Sequence, residues 1–133
     1  MKKIFSLAVT VLLLVICAGC GESVGNSFEK ISADDTKKIM STEKNFVILD
    51  VRTKDEFDKK HIPNAILLPL AEIEKGNFTE KLPDKNQKIL IYCRTGRRSA
   101  NAAQILVDNG YKNIFDFGGI VDWNGEVEGT EAE

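Results

Sequence analysis

Short apolar runs rich in β-branched residues recur along this chain and alternate with segments that carry helical signals. The clearest runs are residues 46–51 (FVILDV) and 88–92 (KILIY), which are too short for helices and suit buried strands. Weaker runs occupy residues 65–68 and 114–117. Because helical segments separate the strands, the sequence predicts an α/β fold of three layers, a mostly parallel central sheet with helices on both faces.

The helical segments are defined mainly by their ends. Ser32 precedes two aspartates and suits an N-cap for a helix to about Met40. Thr53 and Glu56 have the spacing of a capping box, which predicts a short helix ending near His61. Two further helices are predicted over residues 71–75 and 99–109.

The N-terminal segment has the order of an export signal. Two lysines precede an apolar run at residues 4–16, and small residues then lead into Cys20. The ending Ala18-Gly19-Cys20 resembles the lipobox of bacterial lipoproteins, which implies cleavage after a signal peptide of residues 1–19 and lipidation of Cys20. Residues 20–27 would then be a lipidated cysteine and flexible tether. We therefore expect an exported, membrane-anchored lipoprotein facing the periplasm or the cell exterior; an uncleaved anchor and ordinary cleavage to a soluble protein stay open.

Removal of the signal changes the charge and the thiol count. Two of the 18 basic residues would leave, so 16 would face 20 acidic ones, a net charge of −4 that gives no reason to expect a nucleic-acid partner. Cys17 would leave with the signal and Cys20 would be acylated. Cys93 would be the only free thiol, which favours a reactive thiol. One histidine and one thiol cannot assemble a metal site, and we predict neither a metal nor a cofactor.

The loop at residues 93–98 (CRTGRR) concentrates the chemistry. It follows a buried strand and leads into a helix that Ser99 opens, so backbone N–H groups, the helix dipole and three arginines all favour a thiolate at Cys93. The same features favour a small anionic substrate, and Gly96 permits a tight turn. The predicted site residues are Cys93 as the nucleophile and, for substrate binding, Arg94, Thr95, Gly96, Arg97, Arg98 and Ser99.

Several separated segments resemble the rhodanese family. Residues 93–99 (CRTGRRS) look like the active-site loop of single-domain rhodaneses, and residues 50–52 (DVR), 56–57 (EF) and 61–65 (HIPNA) match another signature. Gly118-Gly119 with Trp123 resembles the family's C-terminal segment. Lys60 and Asn64 stand where members commonly have glycine. The resemblance covers residues 28–124 and leaves residues 125–133 as an acidic tail that we expect to be solvated and frayed.

The resemblance implies a sulfurtransferase. Cys93 would attack the outer sulfur of thiosulfate or a similar anionic donor, release sulfite and carry the sulfur as a persulfide to an external thiol or thioredoxin-like acceptor. We expect Asp50 and Arg52 to hold loops together through charged hydrogen bonds, and His61 to act structurally at a helix end.

Two other functions fit parts of the pattern. One is a persulfide carrier or binding module for a partner protein. The other is phosphatase or arsenate-reductase chemistry on the same fold. Those enzymes resemble Cys-x-x-x-x-x-Arg, whereas here Arg98 lies five positions after Cys93, so the length of the loop favours sulfur.

Overall fold

The computed structural model describes residues 27–132. Its strands are β1 (Glu29–Lys30), β2 (Phe46–Asp50), β3 (Ile66–Leu67), β4 (Lys88–Cys93) and β5 (Ile114–Gly119). Its helices are α1 (Ala33–Thr42), α2 (Lys54–Lys59), α3 (Leu70–Glu74) and α4 (Arg97–Asp108), followed by a 3₁₀ turn at Ile120–Asp122.

The five strands form one sheet in the order β1-β5-β4-β2-β3, and every pair is parallel. Side chains alternate across β4: Ile89, Ile91 and Cys93 belong to the core that contains residues of α3 and α4. Leu90 and Tyr92 belong to a second core, against which α1 packs. The helices therefore cover both faces, and the predicted three-layer α/β fold is confirmed.

Two boundaries differ from the prediction and bear on the site. Helix α4 begins at Arg97, two residues earlier than predicted, because Gly96 takes a left-handed conformation (φ 99°) as its N-cap. Two arginines therefore lie in the first turn of the helix. Strand β1 was not predicted, since its two residues, Glu29 and Lys30, are polar and exposed, without the apolar run that marks the other strands.

The two predicted caps form as expected. Ser32 accepts from the Asp35 N–H at 3.0 Å, and Thr53 accepts from the Glu56 N–H at 3.3 Å. Asn64, in a position where the family commonly has glycine, adopts φ 65°. Asparagine tolerates this left-handed conformation better than most residues, so the turn before β3 does not require glycine.

The acidic tail is ordered against helix α2. His61 and Glu128 exchange two backbone hydrogen bonds of 2.8 Å in an antiparallel bridge, and the Thr130 N–H donates to the Asp58 carbonyl at 3.0 Å. Residues 128–131 are exposed, as predicted for a solvated tail, but these hydrogen bonds show that the prediction of a frayed segment is wrong. The physical reason is that the last carbonyls of a helix have no partner within it, and the tail supplies N–H donors to those of α2.

The predicted signal peptide at residues 1–19, Cys20 and all of the tether except Ser27 lie outside the described residues. Within residues 27–132, no helix has both the length and the apolar character needed to cross a membrane.

Candidate active site

Cys93 is the last residue of β4, at the carboxyl edge of the sheet, where ligands bind in parallel α/β folds. Its side chain is 1% exposed and faces the core shared with α4. The Gly96 N–H donates to Cys93 Sγ over 3.0 Å, because the loop returns over the sulfur before the helix begins. The thiol therefore lies at the base of its own loop.

The two glycines at the end of β5 allow this loop to pack closely on the sheet. A Cβ atom at Gly119 would lie 2.2 Å from the Arg94 carbonyl oxygen, a distance that no side chain tolerates. The same carbonyl accepts from the Val121 N–H at 3.3 Å. A Cβ atom at Gly96 would in turn lie 3.3 Å from Gly118 Cα. Small residues on both partners therefore fix the shape of the loop.

The surroundings of Cys93 stabilise its ionised form. Burial by itself raises the pKa of Cys93, but hydrogen bonds from the Ser99 N–H and hydroxyl and from the N–H groups of Gly96 and Thr95 outweigh it, so the pKa is lowered. The first turn of the twelve-residue helix α4 adds the partial positive charge of its dipole. The result is a thiolate favoured at lower pH than in a free cysteine.

Arg98 forms an ion pair with Glu56, a residue that was predicted only as part of a helix cap. Its two terminal nitrogens donate to the two oxygens of Glu56, each over 2.8 Å. Glu56 Oε2 also accepts from the Thr53 N–H at 3.0 Å. The Arg98 guanidinium and these cap hydrogen bonds lower the pKa of Glu56 to about 2. The structure thus places Arg98 in a bidentate ion pair beside the loop.

The remaining loop residues face outward. Arg94, Thr95 and Arg97 are exposed, whereas Ser99 is buried at the base of the loop. Arg97 and Thr95 line two cavities, of about 520 and 410 Å³. The six residues predicted to bind substrate therefore fall into two groups: amide donors close to the sulfur, and cationic side chains at the outer rim of the loop. Their contacts with a substrate stay a prediction.

Asp50 and Arg52 belong to a buried network beneath the site. The Arg52 guanidinium donates to Asp50 Oδ2 and to the Lys60 carbonyl, both at 2.6 Å. The Tyr92 hydroxyl donates to Asp50 Oδ2 at 2.7 Å and accepts from the Ile62 N–H at 3.1 Å. Since Tyr92 immediately precedes Cys93, this network ties the strand carrying the thiol to the connection between α2 and β3.

His61 lies just after α2, and its contacts are with that helix and with the tail. Its Nδ1 is 2.7 Å from the Phe57 carbonyl, its ring stacks on Phe57 at 3.8 Å between centroids, and its Nε2 is 3.0 Å from Glu128 Oε1. These contacts hold the helix end and the tail together.

Three residues that support the site were not predicted as site residues: Glu56, Tyr92 and Asp116. Asp116 is 4% exposed in β5, where its Oδ1 accepts from Ser99 Oγ at 2.8 Å and from the Gly118 N–H at 3.0 Å. Burial raises the pKa of Asp116, and those two hydrogen bonds offset the effect only in part. The sequence did carry a signal for Asp116, namely a carboxylate between the apolar residues of 114–117, because a charged side chain in a buried strand requires a partner.

Comparisons with known proteins point to one family. The profile described as "Rhodanese-like domain" matches residues 32–126. The chain is 36% identical over 74 residues to "Thiosulfate sulfurtransferase PspE" of Escherichia coli, covering 56% of this chain and 70% of that protein. It is 34% identical over 90 residues to "Thiosulfate sulfurtransferase GlpE" of Coxiella burnetii, covering 67% of this chain and 81% of that protein.

A further relative is longer than the matched region. The chain is 36% identical over 104 residues to "Putative sulfur carrier protein YrkF" of Bacillus subtilis, covering 77% of this chain but only 55% of that protein. Among solved structures, the Staphylococcus aureus "Rhodanese-like Domain Protein" superposes with a TM-score of 0.65 at 32% identity, covering 77% of this chain and 98% of that one. On these matches and on the arrangement of the loop around Cys93, the chain belongs to the rhodanese-like domain family, among relatives named for sulfur transfer.

Proposed function

We propose that this protein transfers sulfane sulfur from thiosulfate or a similar anionic donor to an external thiol, with Cys93 as the carrier of the sulfur. The observation that carries the proposal is the position of Cys93 at the end of β4, 3.0 Å from the Gly96 N–H, with its pKa lowered by four hydrogen-bond donors of its own loop. The relatives named thiosulfate sulfurtransferase support the same class of reaction.

In the first step the Cys93 thiolate attacks the outer sulfur of the donor. A bond forms between Sγ and that sulfur, the original sulfur–sulfur bond of thiosulfate breaks, and its electron pair leaves with sulfite. Cys93 then carries a persulfide. The loop N–H groups and the dipole of α4 stabilise the negative charge on the attacking sulfur and on the product.

The charge of the rim suits an anionic donor. Arg94 and Arg97 are exposed at the loop, while the charge of Arg98 is balanced by Glu56. The exposed guanidiniums attract thiosulfate and hydrogen-bond to its oxygens, whereas the loop amides act on sulfur. This division of roles leaves a net positive rim above a buried nucleophile.

In the second step an external acceptor removes the sulfur. Cys93 is the only free cysteine within residues 27–132, so a thiol of the described domain cannot resolve the persulfide. A small thiol or a thioredoxin-like protein attacks the terminal sulfur, and the Cys93 thiolate leaves. The low pKa of Cys93 that favours attack also makes it a good leaving group.

The test is sulfur loading followed by mass spectrometry. The full chain with Cys17→Ser and Cys20→Ser, which retains Cys93 as its only cysteine, is incubated with thiosulfate and desalted. We expect a gain of about 32 Da that cyanide removes and that is absent when Cys93→Ser is added. An unmodified protein would refute the proposal, and release of phosphate from an aryl phosphate would favour phosphatase chemistry instead.

A carrier role is the second candidate, because one relative is named as a sulfur carrier. A carrier loads once and waits for its partner, whereas an enzyme turns over with small acceptors. Measuring thiocyanate formation with both thiosulfate and cyanide in excess separates the two: repeated turnover supports the enzyme, and a single equivalent supports the carrier.

We also propose that the chain is exported and anchored to a membrane through lipid on Cys20, on the basis of its N-terminal sequence alone. Expression in a bacterium supplied with labelled fatty acid tests this. The label is expected in the wild type and in Cys17→Ser but not in Cys20→Ser. Equal labelling of all three, or of none, would contradict lipidation at Cys20.

A further inference from the structure

Asp116 is a buried carboxylate behind the active-site loop, on the side of β5 that faces helix α4. Its Oδ1 accepts from Ser99 Oγ at 2.8 Å and from the Gly118 N–H at 3.0 Å. The sulfur-transfer steps described above do not use it. A carboxylate that is 4% exposed is costly to keep in a domain core, so its place beside the loop calls for a reason.

Ser99 connects this carboxylate to the nucleophile. Its hydroxyl donates to Asp116 Oδ1 at 2.8 Å, with the carbonyl oxygens of Gly96 and Gly118 at 3.1 and 3.4 Å, and the same hydroxyl is among the groups that lower the pKa of Cys93. A serine hydroxyl has one proton to donate. The ionised Cys93 and the ionised Asp116 therefore compete for a single donor.

We propose that Asp116 is a positioning residue that acts through the Ser99 hydroxyl to control the ionisation of Cys93; the inference rests on Cys93 being the nucleophile of the proposed function. While Asp116 is ionised, it draws the Ser99 proton away from sulfur and adds a like charge nearby, which favours the Cys93 thiol. Once Asp116 is protonated, its O–H donates to Ser99 Oγ, and the Ser99 O–H is free to donate to the Cys93 sulfur anion.

Other charged groups face this pair from each neighbouring element. Lys30 lies opposite Asp116 in the register between β1 and β5, and Arg97 of α4 lines the same cavity of about 520 Å³ as Asp116. Arg98 interacts with Cys93 electrostatically but is paired with Glu56. Lys30 favours the ionised form of Asp116, and Arg98 favours that of Cys93, so neither cation by itself decides which of the two groups holds the proton.

The test measures the thiolate of Cys93 directly, by its ultraviolet absorbance as the pH is raised. The proteins are the full chain with Cys17→Ser and Cys20→Ser, alone and with Asp116→Asn, Ser99→Ala or both, each corrected with its Cys93→Ser counterpart. Asparagine keeps the shape of Asp116 and can donate to Ser99 Oγ. At a pH below the wild-type midpoint, we expect Asp116→Asn to raise the thiolate fraction about threefold to tenfold and Ser99→Ala to lower it.

The double variant separates coupling from a merely structural role. We expect the effect of Asp116→Asn to fall to less than half when Ser99 is alanine, because the connecting hydroxyl is gone. An Asp116→Asn variant that titrates like the wild type, or whose effect is unchanged without the Ser99 hydroxyl, would overturn the inference. If Asp116→Asn does not fold, Ser99→Ala carries the test, and a wild-type titration in that variant is the overturning result.

The readout needs no sulfur donor, so it is independent of the proposed function. A coupled titration in a protein that thiosulfate fails to load would refute sulfur transfer and support the inference. Loading with thiosulfate together with uncoupled titrations would refute the inference and support sulfur transfer.

Discussion

Replacing Glu56 by glutamine removes one charge from the site and preserves the helix cap. In the wild type Glu56 accepts two 2.8 Å hydrogen bonds from Arg98 and one of 3.0 Å from the Thr53 N–H. Glutamine is also found at this position of capping boxes, since its amide oxygen can accept from the N-cap N–H. The substitution therefore tests the ion pair and leaves the start of α2 intact.

The size of the effect follows from the ionisation of Glu56. Its pKa is about 2 in the folded protein, chiefly because of Arg98, against an ordinary value of 4.5, and the full difference is worth about 3.4 kcal/mol. Both side chains are about 30% exposed, and the cap contributes part of the shift, so solvent screening leaves roughly 1–2 kcal/mol for the pair.

The pH dependence has a defined direction. Because the folded pKa is depressed, this stabilisation is complete above pH 4.5 and is lost as the pH falls toward 2. We expect Glu56→Gln to lower the free energy of unfolding by roughly 1–2 kcal/mol at pH 7, with more than half of the difference gone by about pH 3.

Urea unfolding of both proteins at a series of pH values measures this difference. Glu80→Gln, at an exposed glutamate before β4, is the matched control for the change in net charge and is expected to behave like the wild type. A Glu56→Gln protein as stable as the wild type at pH 7, or a difference that stays constant down to pH 3, would refute the reasoning.

Three further predictions concern the supports of the site. Tyr92→Phe removes a buried hydroxyl that bonds to Asp50 and Ile62, and should lower the free energy of unfolding by about 1–3 kcal/mol in urea; a loss below about 0.5 kcal/mol would contradict the network. Gly119→Ala should abolish sulfur loading, because its Cβ would collide with the Arg94 carbonyl. The control Gly118→Ala has open space around its Cβ, so it should cost only about 1 kcal/mol of backbone strain and keep loading. Equal effects of the two substitutions on loading would exclude the collision as the cause. Hydrogen exchange should show protection of the amides of Glu128, Thr130 and Glu131, which donate to His61 and to α2, and exchange as fast as in an unstructured peptide would contradict docking of the tail.

Much of the framework was predictable because its signals are local. The apolar run of β4, the caps at Ser32 and Thr53, and the tight turn at Gly96 act over a few residues, so they can be recognised without knowing the fold. Even the place of Cys93 follows from a strand run that ends where a loop begins. Boundaries were less certain, since the N-cap of α4 is a left-handed glycine and not a serine.

The contacts that tune the site could not be predicted in this way. Glu56 meets Arg98, and Asp50 meets Tyr92, across separations of 42 residues in each case. Such pairs depend on which strands are neighbours in the sheet, and the order β5-β4-β2 is not contained in the periodicity of any one segment.

The sequence by itself determined that a thiol would follow a buried parallel strand and precede a helix, since hydrophobic period, caps and glycines are properties of short segments. Only the tertiary structure decided that Arg98 is neutralised, that Asp116 lies behind Ser99, and that the tail docks on α2. The physical reason is that each of these depends on a donor and an acceptor far apart in the chain, and packing of the whole domain selects those partners.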